Sequence, residues 1–314
     1  MNHPLSPVLV LLGPTCSGKS ALALELATRL SGELISCDSM QVYRGLAIGT
    51  AQPTAEEQTR VPHHLVACLE LFQPWNVNRF VPAVKKLASE ISGRGHLPVV
   101  VGGTGLYARA LCYDFQLLPS DANLAAELRE ASSTSEGCER LQAELSSAGP
   151  LPEDLRRNPR HLARAVEIYR LTGEAPWELH RRSERPLEGF RQFCLLPDFQ
   201  VLKERIRRRT AAMVANGWID ECREALKHGL ATAPTAWQAL GYRDIAEYLA
   251  GHGPSSEGAL TEVLANRTIQ YARRQLTWFR HQHPGAVLLP INHYGAGTMA
   301  ALADEVCQRW KEFC

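Results

Sequence analysis

Apolar positions along the chain alternate between two spacings, and each change of spacing predicts an element. Val8–Leu12 is an unbroken run, VLVLL, followed by a Gly-rich turn and then by residues 21–30, where apolar positions recur at helical spacing. This predicts strand, loop, helix. Residues 33–37 read as a second strand ending at Asp38, and residues 97–101 as a third ending at Gly102 and Gly103. Buried runs that alternate with helices and end in polar or Gly-rich loops predict a parallel sheet covered on both faces. Ligands gather at the carboxyl ends of such strands, and all three ends carry candidate chemistry.

The pattern changes near Pro119. Helical stretches are predicted over 124–131, 139–146, 159–171 and 177–183, with breaks at 132–137 and 149–152 and no convincing strand between them. Residues 193–197 are apolar again and read as a return to the sheet. Long helical stretches follow over 203–227 and 260–281. The expected organisation is a core over 1–119, a helical insertion over 120–190, and completion of the core over 191–314.

Composition narrows the class only modestly. Of 314 residues, 45% are hydrophobic and 21% charged, ordinary for a globular enzyme. No apolar run approaches the roughly 20 residues that span a bilayer, so no membrane partner is expected. The opening MNHPLSP lacks a basic stretch of the signal-peptide kind. Nine scattered cysteines without a C-x-x-C pair argue against zinc and a disulfide framework and suit a reducing cytoplasm. The net charge of +1 carries no global nucleic-acid signature. Its distribution does more. Residues 266–283 hold four arginines, two histidines and no acid, while Arg156, Arg157, Arg160 and Arg164 cluster, as do Arg205, Arg207, Arg208 and Arg209. Such patches bind phosphate locally or form solvated helix faces.

Gly13, Pro14, Thr15, Cys16, Ser17, Gly18, Lys19 and Ser20 fit G-x-x-x-x-G-K-[ST] between a strand and a helix. The turn directs backbone amides inward as an anion nest, and the helix N-terminus adds partial positive charge. Lys19 supplies a full charge for a distal phosphate, and Ser20 a hydroxyl suited to Mg²⁺. The motif predicts an α/β, P-loop NTPase-like parallel sheet flanked by helices, with an α-helical insertion. Asp38 reads as a Mg²⁺ ligand, a general base or a cap on its strand end. Thr104 reads as a residue near a reacting group or as a helix N-cap. His63 and His64 lack a third ligand at metal spacing and read as structural or RNA-facing. Gln41 carries an amide able to pair bidentately with a base edge or to hold a turn.

These segments in this order resemble the tRNA dimethylallyltransferases, also called tRNA isopentenyltransferases. The resemblance rests on GPTCSGKS, then DSMQVYRGLAIGTAQP at 38–53, PHHL at 62–65 and VGGTGLY at 101–107. It continues through NPRHLARAVEIYRLTG at 158–173, LGYRDIAEYL at 240–249 and RTIQYARRQLTWFR at 267–280. It implies transfer of a dimethylallyl group from dimethylallyl diphosphate to N6 of the adenine immediately 3′ of the anticodon, with release of diphosphate. The P-loop then holds a leaving diphosphate, with Mg²⁺, and Asp38 takes the proton of the attacking amine. Thr104, Arg205 and Arg209 join Asp38 as expected catalytic residues. Arg205 and Arg209 have i,i+4 surface pairing as their alternative.

Contacts to the tRNA anticodon stem-loop are implied at Asp38, Ser39, Met40, Gln41, Arg160, His161, Leu162, Ala163 and Arg164. They are also implied at Gln238, Gly241, Tyr242, Arg243, Arg273, Arg274, Gln275, Trp278 and Arg280. On the last long helix, Asn266, Gln270, Arg273, Thr277 and Arg280 form a polar stripe, and Ile269, Ala272, Leu276 and Phe279 an apolar one. Arg157, Arg160 and Arg164 are expected to share a helical face. The chain departs from the family pattern at Cys16, usually Ala, and at Gln52, usually Lys. It departs also at Val66 and Ala67, usually Ile and Asp, and at Asp198–Phe199, where an Arg is frequent. A monomeric, bacterial-type enzyme of the cytoplasm is expected. A P-loop kinase, an adenylate isopentenyltransferase and a non-catalytic RNA-binding protein are the alternatives.

Overall fold

The computed structural model describes residues 7–113, 118–181, 185–295 and 297–314. The chain divides into two compact units, Met1–Cys112 with Glu188–Cys314, and Tyr113–Leu187.

The first unit is built on a six-stranded sheet of β1 (Val8–Leu12), β2 (Gly32–Cys37), β3 (His63–His64), β4 (Leu97–Gly102), β5 (Phe190–Pro197) and β6 (Val287–Ile291). The spatial order is β3-β2-β4-β1-β5-β6, and every pairing is parallel. Each residue of β1 is buried, as a central strand covered on both faces requires. Two strands escape the sequence reading. β3 is two histidines with no apolar signal, and β6 is an edge strand interrupted by Pro290, a residue tolerated where no neighbour needs its missing N–H.

In this unit the early helices are α1 (Lys19–Arg29), α2 (Ala55–Arg60), α3 (Val77–Gly93) and α4 (Gly105–Cys112). The second unit holds α5 (Ala122–Ala131), α6 (Ser135–Ser146), α7 (Glu153–Arg157), α8 (Pro159–Thr172) and α9 (Pro176–Arg181). The first unit resumes with α10 (Phe199–Ala215), α11 (Trp218–Lys227), α12 (Tyr242–Leu249), α13 (Glu257–Gln282) and α14 (Thr298–Lys311). The helix expected over 203–227 is two helices, because Gly217 adopts φ 96 after Asn216 ends α10, a left-handed conformation that stops a right-handed helix. The expected helix over 177–183 ends within the described residues at Arg181, and its last two positions lie outside them.

The helical unit has its own core, with Leu128, Leu141, Leu145, Leu162 and Val166 packed together. Buried Glu167 accepts from the Ser120 hydroxyl at 2.7 Å and the Asp121 N–H at 3.0 Å, and pairs with Arg164 at 2.7 Å. A bridge between Tyr113 and Pro186 joins the two ends of the unit.

Register positions the site. Leu12 and Cys37 both align with Gly102, so Gly13, Asp38 and Gly103 emerge one residue beyond a common row. Gly102 permits that approach, because a Cβ there would overlap the Cys37 carbonyl.

Candidate active site

The P-loop backbone is fixed from within and from behind. Gly18 adopts φ 84 and Cys16 φ 62, and the Ser17 N–H donates to the Pro14 carbonyl at 3.2 Å. Thr15 N–H donates to Gln275 Oε1 at 2.9 Å, while Gln275 Nε2 donates to the Gly103 carbonyl at 2.9 Å. Gln275 is thus a buried strut between the P-loop and the end of β4, and although it lines a cavity with Asp38, both amide atoms expected to meet tRNA are committed to the protein. Ser17 is wholly buried, and its hydroxyl has no partner among the described residues. It faces inward, and its N–H is committed to the turn, so the donors expected from Ser17 are not presented to a ligand. Ser20 is exposed.

Lys19 Nζ donates to the Pro14 carbonyl at 3.2 Å. Burial of the ammonium, with repulsion from Arg209, lowers its pKa to about 8 against the raising effect of Asp38. Two arginines of α10 reach this loop. Arg205 Nε donates to the Cys16 carbonyl at 2.9 Å, and an Arg209 N–H lies 3.4 Å from both Thr15 Oγ1 and Cys16 Sγ. The alternative, surface pairing along α10, is not what these side chains do.

The loop after β2 carries the acid. Asp38 Oδ1 accepts from the Met40 N–H at 2.8 Å and the Gln41 N–H at 3.3 Å, leaving Oδ2 without a hydrogen-bond partner among the described residues. Thr104 Oγ1 accepts from the Ser39 N–H at 3.2 Å. Its hydroxyl therefore braces the acid-bearing loop instead of capping its own helix. The Gln41 amide is committed to the protein: Oε1 accepts from Ser36, and Nε2 donates to the carbonyls of Thr50 and Ala51. This is the turn-holding arrangement, and pairing with a base requires exchange of those bonds. Gln52 donates to the carbonyls of Gln41 at 2.8 Å and Tyr43 at 2.7 Å.

A residue missed in the sequence anchors the far side of this loop. Glu221 accepts from the N–H groups of Ile48 at 2.7 Å and Gly49 at 2.9 Å, and from the Tyr242 hydroxyl at 2.6 Å. Tyr242 is fully buried, so its expected tRNA contact is replaced by a structural role. Gly241 is buried as well and adopts φ 90 against Trp218. A Cβ at Gly49 would overlap the Trp218 indole and lie 2.5 Å from the Tyr242 hydroxyl. Gly49→Ala is expected to destabilise the protein by about 1–3 kcal/mol, the usual cost of overpacking; an unchanged denaturant midpoint would show that the loop yields freely.

Two cavities open on the P-loop. One of about 500 Å³ is lined by Lys19, Ser20, Leu24, Arg205, Arg208 and Arg209 among others. The other, of about 390 Å³, is lined by Thr15, Asp38, Ser39, Met40, Gln238, Tyr271 and Arg274 among others. Both volumes are typical of small-molecule sites. Cys16, Lys19, Ser20, Gln41, Ala51, Val101 and Arg209 line both.

On α13, Asn266, Gln270, Arg273, Thr277 and Arg280 are exposed, while Ala272, Leu276 and Phe279 are buried and Ile269 half-buried. The two expected stripes are present. Arg274 is exposed, Trp278 packs against Gly105, and Arg243 is exposed and lies over the Trp237 ring. In the helical unit Arg160 and His161 are exposed, but Leu162 and Ala163 belong to its core, so their side chains are not RNA contacts. Arg164 is engaged by Glu167 and by the carbonyls of Leu118 and Pro119. Arg157 ends α7 and is not on the helix of Arg160 and Arg164. His64 pairs with buried Glu33, His63 bonds the Val61 carbonyl, and no cluster of three metal-ligating side chains occurs among the described residues. All nine cysteines are free. No helix among the described residues is long and apolar enough to cross a membrane.

The family model for IPP transferase matches residues 41–282, and that for isopentenyl transferase matches residues 6–63. The chain is 41% identical over 289 residues to the tRNA dimethylallyltransferase of Thermus thermophilus, covering 91% of this chain and 93% of the relative. It is 39% identical over 296 residues to that of Deinococcus radiodurans, covering 92% and 94%. The crystal structure of a tRNA isopentenylpyrophosphate transferase from Bacillus halodurans superposes with a TM-score of 0.70 at 34% identity over 98% of both chains. A eukaryotic dimethylallyltransferase shares the fold, with a TM-score of 0.77 at 23% identity over 95% of this chain and 77% of the other. With the P-loop, the acid beside it and this coverage in agreement, the chain belongs to the tRNA dimethylallyltransferase family.

Proposed function

We propose that this enzyme transfers the dimethylallyl group of dimethylallyl diphosphate to N6 of the adenine immediately 3′ of the anticodon. The observation that carries the reading is that the Lys19 ammonium and the Asp38 carboxylate line one cavity at the mouth of the P-loop. The exocyclic amine attacks the allylic C1, the C1–O bond breaks, and its electron pair leaves with the diphosphate. Lys19, Arg205, Arg209 and the P-loop amides stabilise the charge that develops there. Asp38 Oδ2 accepts the proton from N6.

Mg²⁺ fits this site as an ion carried largely by the substrate's own phosphates. Ser20 offers its hydroxyl on this cavity, the ligand that a phosphate loop of this kind gives Mg²⁺, and Asp38 Oδ2 is left for the N6 proton. When bound, it would neutralise diphosphate charge.

An adenine within an anticodon loop must leave its stack to enter a pocket, so the stem-loop has to be held through its phosphates and shape. The exposed polar stripe of α13 supplies cations for that task, as do Arg160 and His161 of the helical unit. Incubation with labelled dimethylallyl diphosphate and tRNA, AMP or no acceptor tests the reaction. Label is expected on tRNA alone, and label on AMP but not tRNA rejects the reading. Arg273→Ala with Arg280→Ala is expected to weaken tRNA binding and flatten its salt dependence, by about 0.7–0.9 in log–log slope for each phosphate no longer neutralised. Filter binding across a salt series reads this, and an unchanged slope would remove α13 as an RNA face.

A further inference from the structure

Beyond β6, and outside both matched family regions, Tyr294 returns the chain to the back of the P-loop. Its hydroxyl donates to the Ser17 carbonyl at 3.0 Å. Its ring is covered by Arg205, with the guanidinium carbon 3.8 Å from the ring centroid. The same guanidinium donates through Nε to the Cys16 carbonyl. Met299, at the start of α14, lies beside Gly18, where its sulfur would be 3.2 Å from an added Cβ. Arg205 forms no ion pair among the described residues, and it lines the larger cavity beside Lys19 and Ser20.

One guanidinium is therefore held against the loop by the Cys16 carbonyl, by the aromatic face, and by the tie from that ring to the Ser17 carbonyl. Arginine binds phosphate well because its donors lie in a rigid plane, but its long, rotamer-rich side chain must first be ordered, a cost that opposes binding. A stacked ring meets that cost before the ligand arrives. Nε is already taken by the loop, so the remaining guanidinium N–H groups are available to an anion.

We propose that Tyr294 is a positioning residue for diphosphate: it acts through Arg205, holding that guanidinium in its phosphate-binding orientation against the P-loop. The inference rests on the reading of the P-loop as the diphosphate seat, and it assigns a binding function to the segment between β6 and α14.

The test is a double-mutant cycle read by titration calorimetry of inorganic diphosphate, with KM for dimethylallyl diphosphate and for tRNA measured beside it. Tyr294→Leu is expected to weaken diphosphate binding and raise KM for dimethylallyl diphosphate by about tenfold, as joint removal of a close cation–π partner and its hydroxyl bond would. KM for tRNA is expected to stay unchanged. Tyr294→Phe keeps the ring and is expected to stay within about threefold of wild type, the loss of one hydrogen bond. In an Arg205→Ala background, Tyr294→Leu is expected to change diphosphate affinity by no more than the roughly threefold of the lost hydroxyl bond, the mark of a shared interaction.

An equal effect of Tyr294→Leu in both backgrounds overturns the proposal, because general loosening of the fold would persist without Arg205. Unchanged diphosphate affinity in Tyr294→Leu also overturns it. Lys19→Ala separates the two levels. If it leaves diphosphate affinity intact, the P-loop seat and the inference fall together. If it weakens binding while Tyr294→Leu does not, only the inference falls.

Discussion

Asp38→Ala is expected to lower turnover by about 10²–10⁴-fold, the range ascribed to a positioned general base, while leaving tRNA affinity near its wild-type value. The loss follows from the division of labour in this carboxylate. Oδ1 holds the N–H groups of Met40 and Gln41, and Oδ2 is the oxygen left for the N6 proton. Asp38→Asn separates the two tasks, because an amide oxygen can still accept from both N–H groups while the basic oxygen is lost. Both variants are therefore expected to be equally slow in single-turnover transfer to tRNA. If Asp38→Asn recovers to within about tenfold of wild type, Asp38 serves the turn and another group takes the proton. Asp38 also raises the pKa of Lys19, so its removal leaves that ammonium more easily neutralised. The comparison belongs near pH 7, below the range in which Lys19 loses its charge.

The second large effect is expected at Lys19. Lys19→Met keeps much of the side chain's bulk but removes the full positive charge from the diphosphate seat. It is expected to lower turnover by about 10²–10³-fold, the loss typical when one preorganised donor to developing negative charge is removed. Lys19 also predicts a pH dependence whose sign is fixed. Burial lowers its pKa from 10.5 to about 8, so the ammonium is charged below that value and neutral above it. Affinity for dimethylallyl diphosphate, measured without acceptor, is expected to decline as pH rises through about 8. Binding above that pH takes up a proton, because the bound anion favours the charged form. The Lys19→Met variant is expected to lack this decline. A wild-type affinity that is flat across the range would show that another cation carries the charge.

Much of this arrangement is legible along the chain because the signals are local. VLVLL followed by GPTCSGKS needs no distant contact to be read as strand, phosphate loop and helix, and the observed elements Val8–Leu12 and Lys19–Arg29 are those elements. The helical period on residues 266–280 separates the buried side of α13 from its exposed cations. Arginines 205 and 209 are different. Their spacing is equally that of a surface ion-pair ladder, and only the resemblance directs them to the P-loop.

The chain's own pattern thus determined the α/β core, the phosphate loop, the acid at the end of β2 and the helical character of the insertion, because periodicity and turn chemistry act over a few residues. Tertiary structure decided what long-range contacts control. It made Gln275 a strut, gave Glu221 the turn at Ile48 and Gly49, buried Tyr242, Leu162 and Ala163, and placed Tyr294 against Arg205. A polar residue's role depends on which donor or acceptor folding brings to it. Gln275 and Thr15 are 260 residues apart in the chain, a separation that no local period encodes.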